Sequence, residues 1–146
     1  VFDPSLTRSF GEILITLGRK GAWIVHGTVK NGGGMDELST LGQNQVCKVE
    51  AGQLKSDLID PQELGFAAAK LEDLVGGDAN ENAVIIENIL AGRDKGPKRD
   101  IAVLNAAAGF VITGKAPDLA AGKALAESVI DRGAAHAKLV ALRDWC

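Results

Sequence analysis

The sequence predicts an α/β fold, a mixed, mostly parallel sheet with a strand hairpin, covered by helices. Three observations carry this. Strand, helix and strand alternate at the start, a hairpin pattern occupies the middle, and helical periodicity runs unbroken from Asp78 onward. At 146 residues the chain has the size of one domain with a real core, and residues 1–146 are read as a single unit.

Val1-Phe2 reads as the tail of a strand whose beginning is missing, so the chain is expected to be a piece of a longer protein. Asp3-Pro4 is a helix start, with an acceptor at the N-cap and proline at the first helical position. Leu6, Phe10, Leu14 and Leu17 then share one helical face, and Gly18 is the stop. Ala22 to Val25 is a short apolar strand suited to burial on both faces. Strand-helix-strand is the crossover unit of a parallel sheet. Gln45–Val49 and Leu54–Ile59 follow as two strands joined at Ala51-Gly52. Val46 and Lys48 are taken to point to opposite faces, as are Leu54 and Lys55, so one face of this hairpin is expected to be wet, and Asp60-Pro61 ends it.

Between Gln62 and Gly77 only Leu71 and Leu74 stand out, as packing residues. Asp78 and Glu81 form an aspartate version of the capping box, ahead of Val84, Ile85, Ile89 and Leu90 and a stop at Gly92. Pro97 opens a helix with Ile101, Leu104, Ala108 and Val111 that ends near Gly114. Asp118 caps a third, with Leu119, Leu125, Val129 and Ile130, closed by Gly133. Ala134 to Arg143 is the last, presenting Leu139 and Leu142, and runs such as Ala106-Ala107-Ala108 let helices approach closely.

The net charge is −3 and basic residues are scattered, which argues against a nucleic-acid partner. The densest basic run, Arg93 to Arg99, is broken by Gly96-Pro97 and reads as a solvated connection between helices. No stretch is long and apolar enough for a membrane span. Cys47 and Cys146 make no disulfide framework, so reduced thiols and a cytoplasmic location are expected.

The candidate site is Gly34-Met35-Asp36-Glu37-Leu38-Ser39, a glycine-rich loop that follows the strand ending in His26-Gly27. Two adjacent carboxylates past a strand end can hold a hard, oxygen-seeking cation such as Mg²⁺, shared with a phosphorylated substrate. Spacing alone favours the plainer reading, two solvated acids in a loop.

Several segments, taken in order, resemble the anthranilate phosphoribosyltransferases, members of the glycosyltransferase family that also holds pyrimidine nucleoside phosphorylases. They are Val1-Phe2-Asp3-Pro4 with Leu6-Thr7, Ile24-Val25-His26-Gly27, Gly34 to Ser39, Asp60-Pro61 with Leu64-Gly65, and Leu71-Glu72-Asp73-Leu74. Gly76-Gly77-Asp78 with Glu81-Asn82-Ala83, Leu104 to Ala108, and Gly133-Ala134-Ala135 with Lys138-Leu139 complete the series, which covers nearly the whole chain.

The resemblance implies transfer of the phosphoribosyl group of phosphoribosyl pyrophosphate to the amino group of anthranilate in tryptophan biosynthesis. It implies Mg²⁺ as cofactor, with Asp36 and Glu37 as the metal-binding acids, and a homodimer for the full-length enzyme. The family's Gly-Thr-Gly-Gly-Asp and Lys-His-Gly-Asn-Arg motifs, placed in its N-terminal part, do not occur here. The chain is therefore expected to be inactive alone. Gly76-Gly77-Asp78 corresponds to a separate Gly-Gly-Asp that starts a later helix. Thr28 to Gly33 is longer than the family's usual connection. Alternatives are a non-catalytic scaffold or regulatory module that kept the fold, and a pyrimidine nucleoside phosphorylase fragment. Among single residues, His26 is read as a hydrogen-bonded structural histidine, with substrate orientation or proton relay as the alternative, and His136 as non-catalytic. Cys47 and Trp23 are read as core and Trp145 as a docking residue or frayed tail. Asn105, in an apolar helix, needs a hydrogen-bond partner and is expected to tie that helix to a loop.

Overall fold

A computed structural model describes residues 1–29 and 33–145. The elements run α1 (Leu6–Thr16), β1 (Gly21–Val29), β2 (Gly33–Met35), β3 (Asn44–Glu50), β4 (Gln53–Ile59), α2 (Leu71–Leu74), α3 (Ala79–Leu90), α4 (Pro97–Ile112), α5 (Leu119–Asp131) and α6 (Ala134–Trp145). The α/β class holds. The sheet has the order β2-β1-β3-β4, and every pairing among the described residues is antiparallel. This corrects the mostly parallel expectation. That expectation took Val1-Phe2 as a strand feeding a crossover, but Val1 touches β1 at one rung, donating from its nitrogen to the Val25 carbonyl at 2.7 Å. β1 takes its partners from the segments that follow it.

The sheet is the middle of three layers. On one face Ala22 and Ile24 of β1 and Cys47 and Val49 of β3 pack with Leu14 and Ile15 of α1. On the other, Trp23, Val25 and Val46 join Leu38, Val103, Leu104, Ala108, Ala126 and Ile130 under α4 and α5. β3 is thus buried on both sides, as its alternation between the two clusters requires. Val46 and Lys48 fall on the same face, with the Lys48 ammonium 4.5 Å above the Trp23 ring, so the wet surface is carried by edge strand β4 instead. The β3–β4 hairpin turns at Ala51 and Gly52, both at positive φ (+49° and +79°), the backbone that a two-residue connection demands.

Asp3 starts α1 from three residues upstream, its carboxylate accepting the Ser5 N–H at 2.8 Å, while Ser5 takes the N-cap position. Gly18, at φ +73°, ends it. The face that meets the sheet is built on small residues. A β-carbon at Gly11 would stand 2.7 Å from Leu54 Cδ2. The expected stripe is turned outward except for Leu14: Leu6, Phe10 and Leu17 are 41, 45 and 66% exposed, and Ile13 joins them at 52%.

The helical half follows its caps. Asp78 accepts N–H groups from Asn80 and Glu81, and Glu81 reaches back to the Asp78 N–H at 2.9 Å. Asp118 accepts from Ala121. Gly92, Gly114 and Gly133 all close helices at positive φ. α4 and α5 approach closely where a β-carbon at Gly122 would lie 2.7 Å from the Ala107 carbonyl oxygen. Leu71, Val84 and Leu142 point to solvent, contrary to expectation, because α2 is a single turn and the outer faces of α3 and α6 have no layer above them. The basic run is less solvated than expected: Arg99 is buried and donates to Asp131 at 3.1 Å, bracing α4 against α5. Trp145 is exposed, and Cys146 lies outside the described residues. No helix among them is long and apolar enough to cross a membrane.

Candidate functional site

The acidic pair sits in a two-residue gap between fixed supports. On its N-terminal side, β1 and β2 pair Gly27 with Met35, Thr28 with Gly34 and Val29 with Gly33. Thr28, Val29 and Gly33 of the Thr28 to Gly33 stretch are therefore drawn into this ladder, and Lys30, Asn31 and Gly32 lie outside the described residues. An antiparallel ladder can lengthen at its tip without moving its base, and Asp36 leaves from that base. Gly34 packs against the His26 ring, where a β-carbon would fall 2.4 Å from Cε1.

On its C-terminal side, Leu38 is buried at 1% exposure in the core beneath α4, a burial that contributes about 1.5–3 kcal/mol. Its backbone is held as well. The Leu38 N–H donates to Asn105 Oδ1 at 3.1 Å, and Asn105 Nδ2 donates to the Leu38 carbonyl at 2.8 Å. Asn105 thus ties α4 to the loop. Asn44 does the same one residue later, accepting the Ser39 N–H at 2.7 Å and donating to the Ser39 carbonyl at 3.0 Å. Asn44 is fully buried at the start of β3 and escapes a reading of the sequence. Its only signal is a polar residue at a strand start after Gly42-Gln43, a pattern shared with ordinary turns.

Asp36 and Glu37 themselves are exposed. The Glu37 carboxyl is pushed above its ordinary range, first by partial burial of the group and second by the neighbouring Asp36 charge. Two neighbouring carboxylates are oxygen donors that could hold a hard cation. Among the described residues no third His, Cys, Asp or Glu gathers with them. His26 is buried, with Nδ1 3.1 Å from the Val1 carbonyl oxygen, in keeping with the structural reading. It also lines a cleft of about 380 Å³ with Phe2, Asp3, Pro4, Gly33 and Gly34, and Met35 separates the last of these from Asp36. Asp3, on the same cleft, is held below the usual carboxylate range by its hydrogen bonds from Ser5.

A second groove, about 460 Å³, runs along α3 past Val75, Gly76, Gly77 and Glu81. Glu81 is engaged in the capping box and Gly77 is held by Asn82 through both backbone groups. That segment is a helix start. Cys47 is buried, its thiol pushed up by burial first of all. His136 sits on α6 with Nε2 4.0 Å from Glu87, away from the acidic loop.

Residues 1–136 match the model of the glycosyl transferase family, a/b domain. The chain is 42% identical over 145 residues to an anthranilate phosphoribosyltransferase of Desulfosudis oleivorans, covering 99% of this chain and 42% of the relative. It is 45% identical to the enzyme of that name from a Thermoanaerobacter species, covering 99% of this chain and 41% of that one. The chain thus spans about two fifths of the length of the curated relatives it matches. The solved anthranilate phosphoribosyltransferase of Thermus thermophilus superposes with a TM-score of 0.82 at 40% identity, over 93% of this chain and 38% of that one. The Saccharomyces cerevisiae enzyme in complex with PRPP and Mg gives 0.84 at 25% identity, over 95% of this chain and 39% of that one. With its sheet and helices in the order the resemblance requires, the chain belongs to the glycosyl transferase family, whose a/b domain residues 1–136 match.

Proposed function

We propose that this chain is the C-terminal portion of the catalytic domain of an anthranilate phosphoribosyltransferase of tryptophan biosynthesis. It supplies the acidic pair, Asp36 and Glu37, that holds magnesium against phosphoribosyl pyrophosphate. The observation that carries this is the pair's mounting: two exposed, mutually repelling carboxylates, fixed at Met35 by a ladder and at Leu38 by the core. Magnesium, when bound, offsets charge on the pyrophosphate leaving group. The chain's own residues do the rest of their work by placement. Asp36 and Glu37 offer oxygen ligands, and Gly34 and His26 shape the neighbouring cleft. The amine of anthranilate is nucleophilic as it stands, so the reaction asks for no Ser-His-Asp relay.

Turnover needs a polypeptide carrying the part of the relatives' fold that this chain does not span. Two surfaces support such a companion. Phe2, Leu6, Phe10, Ile13 and Leu17 form an exposed apolar stripe along α1. Gly21 to His26 of β1 carries no strand on the edge away from β3 among the described residues.

The test is calorimetric titration of Mg²⁺ with phosphoribosyl pyrophosphate into the chain, alone and with that companion, followed by an assay of phosphoribosyl transfer to anthranilate. Turnover is expected only in the reconstituted wild type, and the paired Asp36→Ala and Glu37→Ala change abolishes it. Turnover by the 146-residue chain alone, or full activity of the double variant, would overturn the reading.

A further inference from the structure

The loop that carries the acids is held by side chains that imitate a neighbouring strand. A carboxamide offers one acceptor and two donors, which lets it pair with both the N–H and the C=O of one residue. Asn105 does this to Leu38, and its second amide hydrogen goes to the Ile101 carbonyl at 2.9 Å, which locks the side chain to α4. Asn44 does it to Ser39 from the other direction, donating also to Gly42 and Ile59. Successive residues of an extended segment present their backbone groups to opposite sides. Leu38 is therefore gripped from α4 and Ser39 from β3. With Met35 paired to Gly27, only Asp36 and Glu37 are left between the two anchors. No other side chain reproduces the Asn105 contact in place: aspartate lacks the donors, glutamine is a methylene longer, and leucine has neither group.

We propose that Asn105 is a positioning residue for the metal site: it acts through the Leu38 backbone, with Asn44 as its counterpart on Ser39, to hold Asp36 and Glu37 where both reach one cation. The proposal rests on the magnesium reading above. It goes beyond it in assigning metal affinity to a helix residue that touches neither metal nor substrate, 67 positions along the chain from Leu38. Pre-organisation of this kind acts on affinity by removing the cost of ordering the ligands at the moment of binding.

The molecule contains its own control. Asn82 grips Gly77 through the same pair of bonds, at 3.0 and 2.9 Å, at the start of α3 and outside the acidic loop. Removing that latch perturbs the fold in the same chemical way without touching the acids.

The experiment measures Mn²⁺ binding to the chain, with phosphoribosyl pyrophosphate present, from the paramagnetic resonance of the free ion against a protein-free titration that subtracts chelation by the pyrophosphate. Amide hydrogen exchange is followed in parallel. Wild type is compared with Asn105→Ala, Asn82→Ala and the paired Asp36→Ala and Glu37→Ala change. The expected result is that Asn105→Ala keeps its helical spectrum and a cooperative melt. Its Leu38 amide exchanges at least about tenfold faster and Mn²⁺ binds roughly tenfold more weakly, about 1.4 kcal/mol. Asn82→Ala melts earlier but binds Mn²⁺ as wild type does. Should Asn105→Ala fail to fold, Asn105→Ser, whose hydroxyl can still turn onto the Ile101 carbonyl, is read in the same way. If the Asn105 variant is folded and binds Mn²⁺ as tightly as wild type, the positioning role is wrong while the metal site stands. Equal loss in Asn82→Ala would overturn it too, by reducing it to general stability. If wild type and the double acid variant bind alike, the metal site itself is wrong and the proposal falls with it.

Discussion

Gly27 lies directly against the Glu37 peptide: a β-carbon there would stand 2.7 Å from the Glu37 carbonyl oxygen, 2.6 Å from Ser39 Cβ and 3.1 Å from Asn44 Oδ1. The glycine of the His26-Gly27 pair thus makes room for the acidic loop to cross the end of β1. Gly27→Ala is expected to destabilise the chain by about 1–3 kcal/mol, the usual cost of forcing an extra methyl into a packed site. Urea denaturation measures it. Gly33→Ala is the comparison, since its nearest neighbour would be Val29 Cβ at 3.4 Å, and it is expected to stay within about 0.5 kcal/mol. Equal stability of the two variants would remove the packing role assigned to Gly27.

How far the sequence revealed the molecule depended on whether a feature was written in local chemistry. The Asp78 and Glu81 capping box, the Asp118 cap and the glycines at 92, 114 and 133 each act within a few residues, and each was legible. So was the Ala51-Gly52 turn. Strand direction was not, because Val1-Phe2 has strand-like composition whether or not a sheet takes it up. β2 escaped because Gly33-Gly34-Met35 has almost no side chains to alternate. The outward turn of α1 was hidden by the larger apolar residues, while the most buried residues on its sheet-facing side, beside Leu14 and Ile15, are Thr7 and Gly11, which are not conspicuous. At the site, the acids and Asn105 were visible as residue types. The hold on Leu38 was not, since a latch 67 residues away leaves no spacing to read, and Asn44, close to Ser39 in sequence, was hidden because a polar residue after Gly42-Gln43 reads as an ordinary turn.

Ala51 is the one described non-glycine residue at positive φ, +49°. An L-residue with a β-carbon carries about 1–2 kcal/mol of strain there, which asparagine and glycine relieve to different degrees. Ala51→Asn makes the Asn-Gly pair that this turn favours. A gain of about 0.5–1 kcal/mol in thermal or chemical denaturation is expected. A loss would mean that the turn has another shape in solution.

Glu37 supplies a pH signature for metal binding. Its carboxyl is raised from the ordinary 4.5 by burial and by Asp36. A raised acid keeps its proton to higher pH, and ligation needs the anion, so metal affinity begins to fall at a higher pH than for an isolated glutamate. Asp36→Asn removes the second cause and is expected to move the Glu37 carboxyl signal downward in a carbon-13 titration. The stability sign is the reverse of the usual salt bridge: the ionised form is disfavoured by folding. Glu37→Gln should therefore stabilise slightly at neutral pH, by less than about 1 kcal/mol at this exposed position. The gain is lost as pH falls through the raised value toward 4.5. A Glu37 signal that ignores Asp36→Asn would show that the two acids do not share a field.

Lys48 links the two strands of the hairpin to the core, donating to Asp57 at 2.5 Å while lying 4.5 Å above the Trp23 ring. The hydrogen bond from Lys48 holds the Asp57 carboxyl below its ordinary 3.8. With a folded value below the unfolded one, the pair contributes stability above the ordinary aspartate range and loses it as pH drops through the depressed value. Asp57 is 45% exposed in its side chain, so screening limits the effect, and Asp57→Asn is expected to cost no more than about 1 kcal/mol at pH 7. Lys48→Met should cost more at that pH than Asp57→Asn, since it gives up the contact with Trp23 as well as the ion pair. Below the depressed Asp57 value the cost of Asp57→Asn vanishes, whereas part of the Lys48→Met cost persists because the ring contact does not depend on the carboxylate. Denaturation of both variants at pH 7 and in acid below the depressed Asp57 value separates the two contributions. Identical pH dependence for the two would assign all of the Lys48 effect to the ion pair and none to Trp23.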